Sequence, residues 1–227
     1  MSILTPSVAT GQQAAGQTRA ANTVKTIGLP AARGLYDPRN EHDACGVGFI
    51  ASMKGVKSHQ TIRDGLAMLE NLTHRGAVGA DPLMGDGAGM LVQIPDAFFR
   101  AEMAGQGIEL PAEGHYAVGY LFMPQDTGLR AHCENIVREV VAAEGQVLIG
   151  FRDVPVDNSS LSKAPDIAAT EPFHRQVFIG RGAGIASDDD FERRLYILRK
   201  VISGRIYAET EGRDNGFYIV SMSSRTI

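Results

Sequence analysis

The run from residue 127 to 144, carrying Leu129, Cys133, Ile136, Val137, Val140 and Val141, does most to limit the folds open to this chain. Apolar side chains at those spacings line one stripe of an α-helix, and that stripe needs an apolar surface to lie on. The flanking segments supply one. Tyr116 to Met123, stopped by Pro124, and Gln146 to Phe151 both read as strands. Further on, Gln176 to Ile179 reads as a strand, and Ser187 before Asp188, Asp189 and Asp190 reads as a helix start. Acidic side chains there suit the positive end of the helix dipole. That helix turns Phe191, Leu195, Leu198 and Ile202 inward, and Phe217-Tyr218-Ile219-Val220 begins a last strand. Strands interleaved with helices predict an α/β or α+β class, which a layered sandwich of packed sheets with helices outside would suit.

The first third of the chain reads differently. Residues 1 to about 33 are rich in Ala, Thr, Gln and Gly, with no acidic residue before Asp37 and no apolar run of signal-peptide type. Their only basic residues are Arg19, Lys25 and Arg33, too few for a transit peptide, so residues 1–44 read as a largely disordered leader or pro-segment. Residues 46–53 predict a buried strand. Ser58 predicts an N-cap, and Ile62, Leu66, Leu69 and Leu72 predict a helical stripe ended by Gly76. Met90 to Ile94 is strand-like, and about 96–104 a short helix. Composition narrows the class of function. A net charge of −4 and charged helix faces without interleaved aromatics argue against nucleic acid or an anionic membrane. No run reaches the length of a membrane span. Two cysteines without a CxxC, and six dispersed histidines, predict a reducing compartment and no metal site.

The chemistry is concentrated at His42-Asp43-Ala44-Cys45-Gly46-Val47-Gly48-Phe49. A thiol is a nucleophile only as thiolate, with an ordinary pKa of about 8.5, so it needs a base. Cleavage after Ala44 would free an α-amine titrating near 7.7–8.0 on the same residue as the sulfur. Covalent attachment would supply the proximity. On this stretch by itself, a small hydrophobe at the head of a core strand remains the favoured reading. Arg75, followed by Gly76 in Thr73-His74-Arg75-Gly76-Ala77-Val78-Gly79-Ala80-Asp81, could orient a carboxylate, with the Gly76 N–H donating beside it. Alone, it reads more simply as a basic residue at a helix end with a glycine cap. Gly85-Asp86-Gly87-Ala88-Gly89 lacks the features of a phosphate loop and reads as a tight turn. Cys133 reads as core packing.

Taken in order, Asp37 to Phe49, His74 to Asp81, Gly85 to Gly89 and the closing Phe217 to Ile227 resemble the amino-terminal region of glutamate synthase large subunits. That region is a class II glutamine amidotransferase domain of the N-terminal-nucleophile hydrolase type. The resemblance runs from about Leu35 to the end. It implies an α+β fold, a four-layer αββα sandwich present here incompletely, with residues 45–227 as its N-terminal part. It implies removal of the segment before Cys45, attack of that thiol on the carboxamide of L-glutamine with the α-amine as base, and a thioester. Arg75 matches the family arginine that orders the glutamine site, with Gly76 beside it.

Other implications concern a longer polypeptide of which this sequence reads as a segment. The Asn-Gly pair supplying the oxyanion hole is expected beyond residue 227, and Asn215-Gly216 is read as a turn before the last strand. FMN, an iron–sulfur cluster, synthase domains acting on 2-oxoglutarate and a possible small electron-donating subunit are implied for the complete enzyme, with no cofactor in this segment. A cytoplasmic location is expected. Two alternatives remain: an amidotransferase serving another acceptor, and an inert fragment acting only as an interaction module.

Overall fold

A computed structural model describes residues 31–35, 37, 46–72, 87–159, 168–210 and 216–227. Its elements in chain order are α1 (His59–Asn71), α2 (Asp96–Ala104), β1 (Tyr116–Met123), α3 (Thr127–Ala143), β2 (Val147–Asp153), β3 (Phe173–Gly180), α4 (Asp188–Glu209) and β4 (Tyr218–Ser223). The strands form one sheet in the order β2-β3-β1-β4, with every neighbouring pair antiparallel. Chain order and sheet order together make two interleaved β-α-β crossovers, β1-α3-β2 and β3-α4-β4, in the split βαβ arrangement. This is an α+β architecture.

Strand alternation divides β1 between two cores. Ala117, Leu121 and Met123 face the long helices and join Val177, Ile179, Ile219 and Met222 from the other strands. Onto them α3 lays Cys133, Ile136, Val137, Val140 and Val141, and α4 lays Phe191, Leu195, Leu198, Ile202 and Ile206. Tyr116 and Val118 point the other way, with Phe178, into a smaller core closed by Phe99 and Met103 of α2 and by Ile94 and Leu110. Each Val, Leu, Ile, Phe or Met among them contributes about 1.5–3 kcal/mol on leaving water.

Local signals set the ends of these helices. The Asp126 carboxylate accepts from the Leu129 N–H (2.7 Å) to start α3. Gly145, at φ +69°, ends it, with the Gln146 N–H returning to the Val141 carbonyl at 3.0 Å. The Ser187 hydroxyl accepts from the Asp190 N–H (3.1 Å) to start α4. Gly216, at φ +77°, bends the chain ahead of β4, while Asn215, its partner in the expected turn, lies outside the described residues.

Two expectations are corrected. Residues 46–53 form no strand: among the described residues their backbone joins no ladder, and Val47 and Phe49 are 96 % and 89 % exposed. Their apolar character reflects no docked edge among the described residues. Residues 90–94 make only an isolated antiparallel bridge, Gln93 to Thr226, with Val92 and Ile227 exchanging backbone hydrogen bonds of 2.8 and 2.9 Å. Residues 1–30 and most of 36–45, including the expected leader, lie outside the described residues.

Candidate functional site

Cys45, Arg75 and Gly76 also lie outside the described residues, as do Gly85 and Asp86. The residues flanking all three motifs are described, and they meet on one helix. Ser58 opens α1 by accepting the Gln60 N–H at 3.1 Å. The Leu72 N–H closes it, bonding the Met68 and Leu69 carbonyls at 3.1 Å each. Gly65, Met68 and Leu72 then fall at i, i+3 and i+7, on one side of the helix.

That side receives three segments through glycines. Gly46, the residue after Cys45, lies so close to Leu72 that a Cβ on it would stand 2.7 Å from Leu72 Cδ2. A Cβ on Gly48 would overlap the Met68 sulfur. In the reverse sense, a Cβ on Gly65 would stand 2.7 Å from the sulfur of Met90, next in chain to Gly89. The element that Gly46 and Gly48 approach is α1. Leu72 precedes Arg75 by three residues, about 11 Å of chain at most, and Cys45 is one Cα step of about 3.8 Å from Gly46. The helix therefore gathers the flanks of the Cys45, Arg75 and Gly85–Gly89 motifs into one neighbourhood.

The sequence stripe missed this face in part. Leu66 is 50 % exposed, whereas Met68 and Gly65, which it omitted, make the contacts. The overlooked signal was the pairing of small residues at 46, 48 and 65 with flexible methionines at 68 and 90. Nothing in α1 is fully buried. An ion pair between Lys57 and Glu113 ties the segment before it to the loop ahead of β1.

Cys133, the chain's other cysteine, is fully buried on α3 among apolar side chains. Burial pushes its thiol up to about 11, so it stays protonated and inert at neutral pH. His132 sits 3.2 Å from Glu209 at the surface. Among the described residues no group of three or more His, Cys, Asp or Glu could hold a metal ion. No described helix is long and apolar enough to cross a membrane.

A model of class II glutamine amidotransferases matches residues 45–227, starting on Cys45. The large chain of an NADPH glutamate synthase from Bacillus subtilis is 45 % identical over 199 residues, 88 % of this chain and 13 % of its own length. An NADH glutamate synthase from Schizosaccharomyces pombe is 38 % identical over 204 residues, 88 % of this chain and 9 % of its own. The ferredoxin-dependent glutamate synthase 1 of Arabidopsis thaliana is 36 % identical over 198 residues, 87 % and 12 % of the two chains. This chain thus spans only a small part of the length of the relatives it matches. With that match laid over the convergence on α1, the chain belongs to the class II glutamine amidotransferases.

Proposed function

We propose that this chain is the glutaminase part of a glutamate synthase, hydrolysing L-glutamine to glutamate and ammonia. The observation that carries the reading is the meeting of Gly46 with Leu72, which brings the flank of Cys45 against the flank of Arg75. Residues 1–44 form a pro-segment whose removal exposes the Cys45 amine. That amine accepts the thiol proton, and the thiolate attacks the carboxamide carbon. The resulting tetrahedral adduct collapses as the amine returns the proton to the leaving nitrogen. Ammonia departs and a thioester remains, which water then hydrolyses to free the thiol. Arg75 orients the substrate carboxylate through its planar guanidinium, and the Gly76 N–H donates beside it.

The finer architecture in this reading is the αββα sandwich. It is supported by the sheet face opposite α3 and α4. Beyond the reach of α2, that face carries a half-covered aromatic group in which the Tyr120 hydroxyl meets His174 Nδ1 at 3.0 Å and Phe122 packs on the imidazole. A second apolar layer would cover it, and the exposed Val47 and Phe49 are of the right character. FMN, an iron–sulfur cluster, conversion of 2-oxoglutarate and an electron donor belong to other parts of the polypeptide or to a separate subunit. The relatives name NADPH, NADH and ferredoxin as donors, so this region is compatible with any of them. A cytoplasmic setting accords with a chain of only two cysteines and no CxxC.

Exposure to an electrophilic glutamine analogue, followed by intact mass and peptide mapping, tests the reading. The expected product lacks residues 1–44 and carries one adduct at Cys45. An adduct at Cys133, or a labelled Cys45 still acylated on its nitrogen, overturns it.

A further inference from the structure

We infer that α4 guards the open border of β4: Glu192 and Arg199 hold backbone groups that an arriving strand would need, which keeps a second copy of this chain from extending the sheet. β4 ends the order β2-β3-β1-β4 and pairs only with β1 among the described residues. In an antiparallel strand, alternate residues turn their N–H and C=O groups toward the paired neighbour, and the residues between turn theirs away. An end strand therefore presents a row of unpaired groups, a template for another chain. Tyr218 and Val220 of β4 are exposed, so the strand is open to solvent.

Side chains of α4 meet that row along its length. Arg199 Nη2 donates to the Ile219 carbonyl at 2.9 Å. Two residues earlier, on the same side of the strand, the Phe217 carbonyl lies 3.4 Å from the Tyr207 hydroxyl. At the far end the Ser224 N–H donates to Glu192 Oε1 at 2.8 Å, and the hydroxyls of Ser224 and Ser223 donate to the same carboxylate at 2.6 and 2.9 Å. Glu192, Arg199 and Tyr207 follow one another at roughly two helical turns, so they share one side of α4. The buried stripe of Phe191, Leu195, Leu198, Ile202 and Ile206 is separate from them. Anchoring and guarding thus fall to different residues of one helix. Hydrogen bonds with an ionised partner are about twice as strong as neutral ones. An incoming strand offers only a neutral N–H to Ile219 or a neutral carbonyl to Ser224, and gains too little to displace them. Local geometry acts in the same sense. The register slips beside Val220, where Leu121 pairs with Ile219 and Tyr120 with Ser221, and such a bulge twists an edge away from straight pairing. β2, the opposite border of the sheet, is bulged as well, between Leu148 and Gly150.

The test uses the complete polypeptide that carries this sequence, comparing wild type with Arg199→Lys, Ile202→Val and the double variant Glu192→Ala, Arg199→Met. Methionine keeps much of the arginine stem and removes the donor, whereas lysine keeps a charged donor. Ile202→Val loosens the same helix from its buried side and controls for lost stability. Light-scattering mass is read against protein concentration, and amide hydrogen exchange over residues 216–227 locates any new contact. The double variant is expected to rise to about twice the wild-type mass or beyond as concentration increases, through pairing at the unguarded edge. Exchange in β4 should slow in the associated species. Arg199→Lys and Ile202→Val should both keep the wild-type mass. The guard is wrong if the double variant keeps the wild-type mass, if Ile202→Val associates as readily, or if the added mass comes without slower exchange in β4.

Discussion

The two ends of this molecule use packing for opposite purposes. In the sheet and its long helices, large side chains interlock: Phe191, Leu195, Leu198 and Ile202 of α4 are fully buried on β1, β3 and β4. In the unit formed by residues 46–72 and 87–91, the contacts come from missing side chains, with glycine backbone lying against Leu72, Met68 and Met90. The first arrangement removes apolar surface from water and holds the fold. The second removes little surface and brings short segments against α1. If the proposed site residues carry the chemistry, stability and chemistry are held by different parts, as expected where reactive loops sit on a rigid scaffold.

That division can be broken most directly at Cys45. Cys45→Ala should lower glutamine hydrolysis by the complete polypeptide by about a thousandfold or more, since the nucleophile has no substitute. Its denaturation midpoint should match wild type. A clear loss of stability would mean that Cys45 is a packing residue and would erase the contrast. In the opposite sense, Phe191→Ala should destabilise by about 3–5 kcal/mol, read from urea unfolding, because α4 is pinned to the sheet and cannot collapse into the void. The rate of Cys45 modification under native conditions should change little. A smaller loss is expected from Ser187→Ala, about 1 kcal/mol, because the α4 N-terminus would lose its hydroxyl acceptor.

The finest test is pH. Burial holds the Cys133 thiol at about 11, well above the ordinary thiol range, so the folded state resists losing that proton. A group whose folded pKa is raised contributes stability below the unfolded value and loses it as pH rises toward the folded one. Unfolding midpoints should therefore be independent of this thiol below about pH 9 and show its added decline between about 9 and 11. Cys133→Ala should remove that component of the slope. An unchanged slope would place the thiol in contact with water.

The core was legible because its signals are local. The stripe on α3 and the acidic start of α4 follow from helical period and dipole, and β1 was bounded by its apolar run and Pro124. Strand ends were harder. β2 continues through Arg152 and Asp153, and β3 begins at Phe173, His174 and Arg175, because cross-strand pairing satisfies their backbone. Their charges find partners that no short stretch reveals, Arg152 with Glu102 at 2.6 Å and Arg175 with Glu134 at 2.7 Å. Sheet order depends on such distant pairings. Residues 46–53 misled because apolar composition indicates a wish for burial without naming the partner. For the site, Cys45, Arg75 and Gly76 were proposed through motif resemblance alone, and all three lie outside the described residues. The helix α1 itself was predicted, but its contacts through Gly65 and Met68 were not, since neither belongs to its apolar stripe.

The interleaving of β1-α3-β2 with β3-α4-β4 also governs the order in which the protein can be finished. β1 is a central strand whose two neighbours, β3 and β4, are both synthesised after β2 is complete. A nascent chain that has emerged as far as Glu209 can mount α4 on the growing sheet, yet one border of β1 still lacks its hydrogen-bonding mate. Closure waits for Tyr218 to Ser223. An early stop just before those six residues would leave a sticky ledge, open to whichever strand arrives first.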